Sequence, residues 1–243
     1  MPAIRRIFFI GSYAGMKFSS LTLFGRSRSG YPEIVITTDA NDQPTNRVAV
    51  LGVLADLHGE AVQYDLKPLR RLIMGIQPDL ICAEIQWVDW LSGNLAAAPR
   101  AIRETIVPLC RRTNMVIIPV GGSVLKEFGV PPADRFLNAQ VIRALNGLQR
   151  ISWAVINHPA AINSAAYSLC CNLTCAAELN LCGPTAKKVW QEANDTIFKN
   201  ILETLTRDPG RRTLVTIDCR RRQWLMKQLA QTPQVDLVHY NEL

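Results

Sequence analysis

Five short runs of mostly apolar, β-branched-rich residues punctuate this chain: 48–54 (VAVLGVL), 80–85 (LICAEI), 115–120 (MVIIPV), 213–218 (TLVTID) and 235–240 (VDLVHY). Runs of this length with little polar alternation read as strands covered on both faces, the pattern of a parallel sheet. Helical spacing separates most of them. Residues 61–76 carry Val62, Leu66, Leu69, Leu72, Ile73 and Ile76 on one side, and Gln77-Pro78-Asp79 ends the pattern. Pro99 suits the first turn of a helix running to about Arg112, and 221–230 forms another helical pattern. The alternation predicts an α/β fold with a mainly parallel sheet of about five strands. Because 48–54 and 80–85 flank one helix, they are expected as neighbouring parallel strands about 5 Å apart.

Two regions depart from this alternation. Near the N-terminus, 32–38 (PEIVITT) has strong β character, and 39–46 (DANDQPTN) is a turn cluster. Together they predict an antiparallel edge hairpin leading into the first core strand, preceded by a loop-like stretch at 18–30. From 123 to 210 there is no strand pattern. The segment 134–149 turns Phe136, Val141, Ile142 and Leu145 inward. The stretch 151–182 is rich in small and apolar residues, and 185–206 places Val189, Ile197, Ile201 and Leu205 on one side. This predicts a helical insertion over 123–210 that enters after the third strand and covers the carboxyl edge of the sheet, within a single α/β domain spanning 1–243.

A hydrophobic fraction of 48% supplies a sizeable core. The formal charge of +7 and pI near 9.2 point to an anionic ligand or partner. The basic residues fall in pairs and one triplet: Arg5-Arg6, Arg70-Arg71, Arg111-Arg112, Arg211-Arg212 and Arg220-Arg221-Arg222. Such scattered pairs read as solvated helix ends, and no nucleic-acid-binding motif is visible. Seven cysteines in a long chain that is not loop-rich favour free thiols in a reducing compartment. No run of about 20 apolar residues predicts a membrane span, and the brief apolar run near the start is short for a signal peptide. Cytoplasmic residence is the expectation.

Candidate chemistry collects at the carboxyl ends of the predicted strands, where α/β proteins bind ligands. Residues 55–60, ADLHGE, follow the first strand, Glu84 closes the second and Asp218 closes the fourth. Asp56, His58 and Glu84 form a carboxylate–imidazole–carboxylate set suited to a divalent metal ion that activates water for hydrolysis, with Asp218 as a further catalytic candidate. The competing reading makes Asp56 a helix cap and His58 a polar residue of the first turn. Gly121-Gly122 after the third strand reads as a tight turn. Cys171, Cys175 and Cys182 lie at helical spacing and read as core. Cys219, beside Arg220, is a candidate for a pKa lowered by that cation, although no histidine partners it in sequence, and His158 reads as a structural contact.

Two resemblances sharpen these expectations. Asp56-Leu57-His58-Gly59 is similar to the first motif of calcineurin-type metallophosphoesterases, but the further motifs of that family have no counterpart, and the chain holds only three histidines. VAVLGVLADLHGE…LRRLIMGIQPDLICAEI resembles the opening of TraB/GumN-like proteins, a group related to the TIKI and EreA/ChaN families. The closing RRTLVTIDCRRRQWLMKQLAQTPQVDLVHYNEL resembles the final strand–helix–strand of the same group. In this resemblance His58 and Glu84 fall on the family's polar landmarks, with Pro78-Asp79 between them. It implies a metal-linked hydrolytic activity. The alternative is a non-catalytic α/β binding protein for an anionic ligand or a protein partner.

Overall fold

The computed structural model describes residues 45–54, 66–122, 136–155 and 158–243, all within the compact unit Gln43–Leu243. The expected edge hairpin at 32–46 and the candidate residues Asp56 and His58 lie outside the described residues, apart from the hairpin's last positions.

The strands are β1 (Asn46–Val53), β2 (Leu80–Gln86), β3 (Val116–Gly121), β4 (Thr213–Asp218) and β5 (Val235–Leu237). They form one sheet in the order β3-β2-β4-β1-β5, and every pairing is parallel. The α/β class and parallel sheet follow the sequence pattern. One expectation is corrected: β1 and β2 are not neighbours. β4 lies between them, pairing Val50 with Val215 on one side and Cys82 with Val215 on the other. The helix after β1 therefore spans two strand spacings, about 10 Å, and leaves a slot that the chain fills more than a hundred residues later.

The helices divide between the two faces as this order requires. From β1 to β2 to β3 the chain moves toward one edge, and from β3 to β4 to β5 it moves back. Connections of constant hand must then change face. Accordingly α1 (Leu66–Ile76) and the helical segment ending in α3 (Val107–Cys110) bury Leu69, Ile73, Ile102, Ile106 and Leu109 against Leu51, Ile81 and Ile85. On the opposite face, α7 (Pro184–Arg207) and α8 (Cys219–Ala230) bury Ile197, Ile201, Leu205, Leu225 and Leu229 against Val48, Val50, Cys82 and Val215. Successive residues of β1 thus face opposite cores, which is why its sequence is apolar without alternation.

Between β3 and β4 the described elements are all helical: α4 (Phe136–Val155), α5 (Pro159–Ile162), α6 (Ala165–Cys182) and α7. They do not act as one cover over the carboxyl edge. The last of them, α7, lies across a sheet face as a crossover helix, while α5 meets β1 and α6 packs against α8. The helix begun at Pro99 also differs from expectation, since Ile102–Ile106 is a π-helical turn. Pro108 explains it: a proline inside a helix has no N–H to donate and crowds the carbonyl four residues back, and the wider turn relieves both.

The side of β1 that faces β5 is completed by side chains. Backbone groups of its even-numbered residues point toward β5: Asn46 N donates to Gln234 O, and Val48 O accepts from Val238 N. β5 ends there, yet β1 continues. Beyond that point Val50 O accepts from Arg222 Nε at 3.4 Å. Gly52 N donates to Asn163 Oδ1 at 2.7 Å, and Gly52 O accepts from Asn163 Nδ2 at 3.0 Å. The Asn163 amide takes the place of a strand residue. A Cβ on Gly52 would crowd this junction, at 3.0 Å from Arg222 Cδ and 3.2 Å from Cys219 Cα.

Candidate functional site at the carboxyl edge

β4 is the switch point of the sheet. The connection leaving it passes to the α8 face, whereas those leaving its neighbours β1 and β2 pass to the other. Crevices of this kind are where open α/β sheets bind ligands. Glu84 at the end of β2 and Asp218 at the end of β4 meet here: the Asp218 N–H donates to Glu84 Oε2 at 2.7 Å. Of the four residues chosen from sequence, these two are brought together. Asp56 and His58, as noted, lie outside the described residues.

Asp218 is the N-cap of α8, its Oδ1 accepting from Arg220 N at 2.9 Å. Its Oδ2 accepts from Arg220 Nε and Nη2 at 2.9 and 2.6 Å. Glu84 Oε1 lies 3.0 Å from Arg221 Nε, although that N–H is not aimed at it and has no hydrogen-bond partner. Arg221 donates through Nη1 to Asn194 Oδ1, and its guanidinium stacks 4.0 Å from the centre of the Trp190 ring. Asn194 is 1% exposed, and its Nδ2 has no partner. The close approach of α7 to β3 positions Asn194: a Cβ on Gly122 would sit 2.7 Å from Ala193 O, and one on Gly121 would sit 2.6 Å from Ile85 C. The glycine pair thus serves close packing of β3 against β2 and α7.

The arginine triplet corrects the reading of basic runs as solvated surface. Arg221 and Arg222 are each 7% exposed, and Arg222 reaches Ser168 Oγ at 3.0 Å. The clue in the sequence was position. Three cations in the first turn of a helix oppose its dipole, so they need carboxylate or carbonyl partners to be stable there. Asn163, Trp190 and Asn194 carry no sequence signal that separates them from ordinary helix residues.

The two carboxylates are driven apart in acidity. Burial pushes Glu84 up, only partly offset by the charge of Arg221. Burial acts the same way on Asp218, but the charge and hydrogen bonds of Arg220 outweigh it and hold this carboxyl below its ordinary value. A raised pKa in the folded state makes folding stability fall as pH rises from 4.5, the ordinary glutamate value, through the folded value. Glu84→Gln removes that titration. The melting temperature of the variant relative to wild type is therefore expected to climb with pH across this window, which thermal melts at stepped pH will check.

As they stand, Glu84 and Asp218 do not fit a metal ion. Three of their four oxygens accept protein N–H groups, the fourth faces Arg221, and two guanidinium cations occupy the surrounding space. Among the described residues no group of three or more His, Cys, Asp or Glu side chains is arranged to hold a metal. Cys219 is also corrected. Its thiol is pushed up, by its hydrogen bond to Cys171 first and then by burial and the adjacent Asp218, which outweigh Arg220. His158 caps α5, its Nδ1 accepting from Ala160 N at 3.3 Å. Trp87 is 58% exposed on α2 (Trp87–Ser92).

Comparison with protein-family models, curated proteins and solved structures finds no match for this chain. Among the described residues, no helix is long and apolar enough to cross a membrane.

Proposed function

We propose that this chain is an α/β binding protein whose carboxyl-edge crevice takes a small ligand bearing an oxyanion, a carboxylate or a phosphate- or sulfate-like group. The observation that carries this reading is the sign of the unmet hydrogen bonding. In the Glu84–Asp218–Arg220–Arg221–Asn194 cluster, the buried atoms without a partner are Asn194 Nδ2 and Arg221 Nε, both donors. Buried donors are costly to leave unpaired, and their complement is an acceptor. A cation would need carboxylate lone pairs, and three of the four oxygens already accept N–H groups while the fourth faces Arg221. The net charge of +7 works in the same direction. Seven free thiols support a reducing, cytoplasmic setting.

Inorganic sulfate is the probe. It is expected to raise the melting temperature of the wild type. Asn194→Asp, which sets a carboxylate where the ligand oxygen would lie, is expected to abolish that rise without unfolding the protein, because the new charge faces Arg221. An equal response in both proteins removes the proposal.

Metal-assisted hydrolysis, the reading implied by the TraB/GumN-like resemblance, keeps one specific observation in its favour. Two adjacent carboxyls with acidities pushed in opposite directions form a pattern seen where one acts as acid and the other as base. Its first test is a stoichiometric divalent ion in purified protein, lost on His58→Ala.

A further inference from the structure

We propose that Cys171 and Cys219 are a redox pair, joined on oxidation by a disulfide that ties α6 to the first turn of α8. Their sulfurs lie 3.5 Å apart although the residues are 48 positions apart in the chain. Both thiols are buried, at 1% and 3% exposed, so the contact is fixed by packing and not by two mobile surface side chains. Closing from this distance to a bond of about 2.05 Å is a movement of some 1.5 Å. The other cysteines are placed differently. Cys170 is exposed, and Cys82 belongs to the core on the α7–α8 face. Cys175 follows Cys171 by one helical turn and is buried with its thiol pushed up to about 12.

The hydrogen bond with Cys219 lowers Cys171 while Cys219 is raised. The disulfide is the same whichever sulfur attacks first; with Cys171 first, Cys219 is the resolving thiol. With hydrogen peroxide as oxidant, the Cys171 thiolate attacks one peroxide oxygen. The O–O bond breaks, and the departing hydroxide takes up a proton as water, leaving a sulfenic acid on Cys171. The Cys219 sulfur then attacks that sulfur. The S–O bond breaks, and the second hydroxide takes the Cys219 proton as a second water. Two thiols lose two electrons, and one peroxide becomes two waters.

The position of the bond gives it a consequence. Cys219 directly follows Asp218 and precedes Arg220 and Arg221, so the cross-link anchors the turn from which the whole carboxyl-edge cluster hangs. In a Cys170→Ser background, the full chain treated with hydrogen peroxide and then alkylated is expected to lose two hydrogens. A peptide linking Cys171 to Cys219 should appear, its melting temperature should rise, and dithiothreitol should reverse each change. Cys175→Ser keeps the link; Cys171→Ser and Cys219→Ser lose it. If a serine variant fails to fold, the peptide map of the parent decides alone. A Cys171–Cys175 link, a link between chains, or both thiols still open to alkylation after denaturation would overturn the proposal.

Discussion

Replacing Asp218 by asparagine is expected to cost about 3–5 kcal/mol of folding stability, the range found when one partner of a buried ion pair is removed. Asparagine is as good an N-cap as aspartate, so the backbone bond to Arg220 survives and the loss reports the charge. Both guanidinium hydrogen bonds of Arg220 end on Asp218, and the two side chains are only 15% and 5% exposed. The variant thus strands a cation in the first turn of a helix, where the dipole already opposes it. Denaturant unfolding measures the loss. Removing both charges, as Asp218→Asn with Arg220→Met, is expected to recover a large part of it. In the wild type the same stabilisation is present above pH 3.8, the ordinary aspartate value, and is lost as pH falls through the depressed folded value.

Asn163→Ala is expected to cost about 2–4 kcal/mol, taking two buried backbone groups at roughly 1–3 kcal/mol each with incomplete additivity. The change leaves Gly52 N–H and C=O without the amide that completes β1 after β5 ends. A loss below about 0.5 kcal/mol, as for an ordinary surface substitution, would show that this amide does not act as a strand surrogate. Hydrogen exchange should place the local effect at Gly52 rather than at Asn46, whose N–H still donates to Gln234 O beside β5.

The sequence made the parallel sheet legible for a simple reason: 48–54, 80–85 and 213–218 are buried on both faces, so their apolar runs needed no alternation. It did not reveal the strand order. Strand adjacency depends on how far a crossover helix travels, and nothing in α1 records that it passes over a slot later filled by β4. The candidate site was half legible. Glu84 and Asp218 were found because ionisable residues at the ends of buried strands stand out. Their partners were hidden, since Arg220, Arg221 and Arg222 resemble any basic helix end until the helix is seen to begin at Cys219. Asn163 was hidden more deeply, because a side chain that imitates a strand matters only once the true strand is known to be too short. The π-turn before Pro108 could have been anticipated, as a proline that deep in a helical pattern always requires an accommodation.

The most direct test of the central claim is isothermal titration calorimetry of chelator-treated protein near neutral pH, with sodium sulfate in one experiment and manganese chloride in another. The donor-rich crevice predicts saturable sulfate binding at one site per chain, absent in Asn194→Asp, and no stoichiometric manganese binding that depends on Glu84. Manganese binding at one or two sites per chain that disappears in Glu84→Gln, with no heat from sulfate, would contradict the anion-binding account.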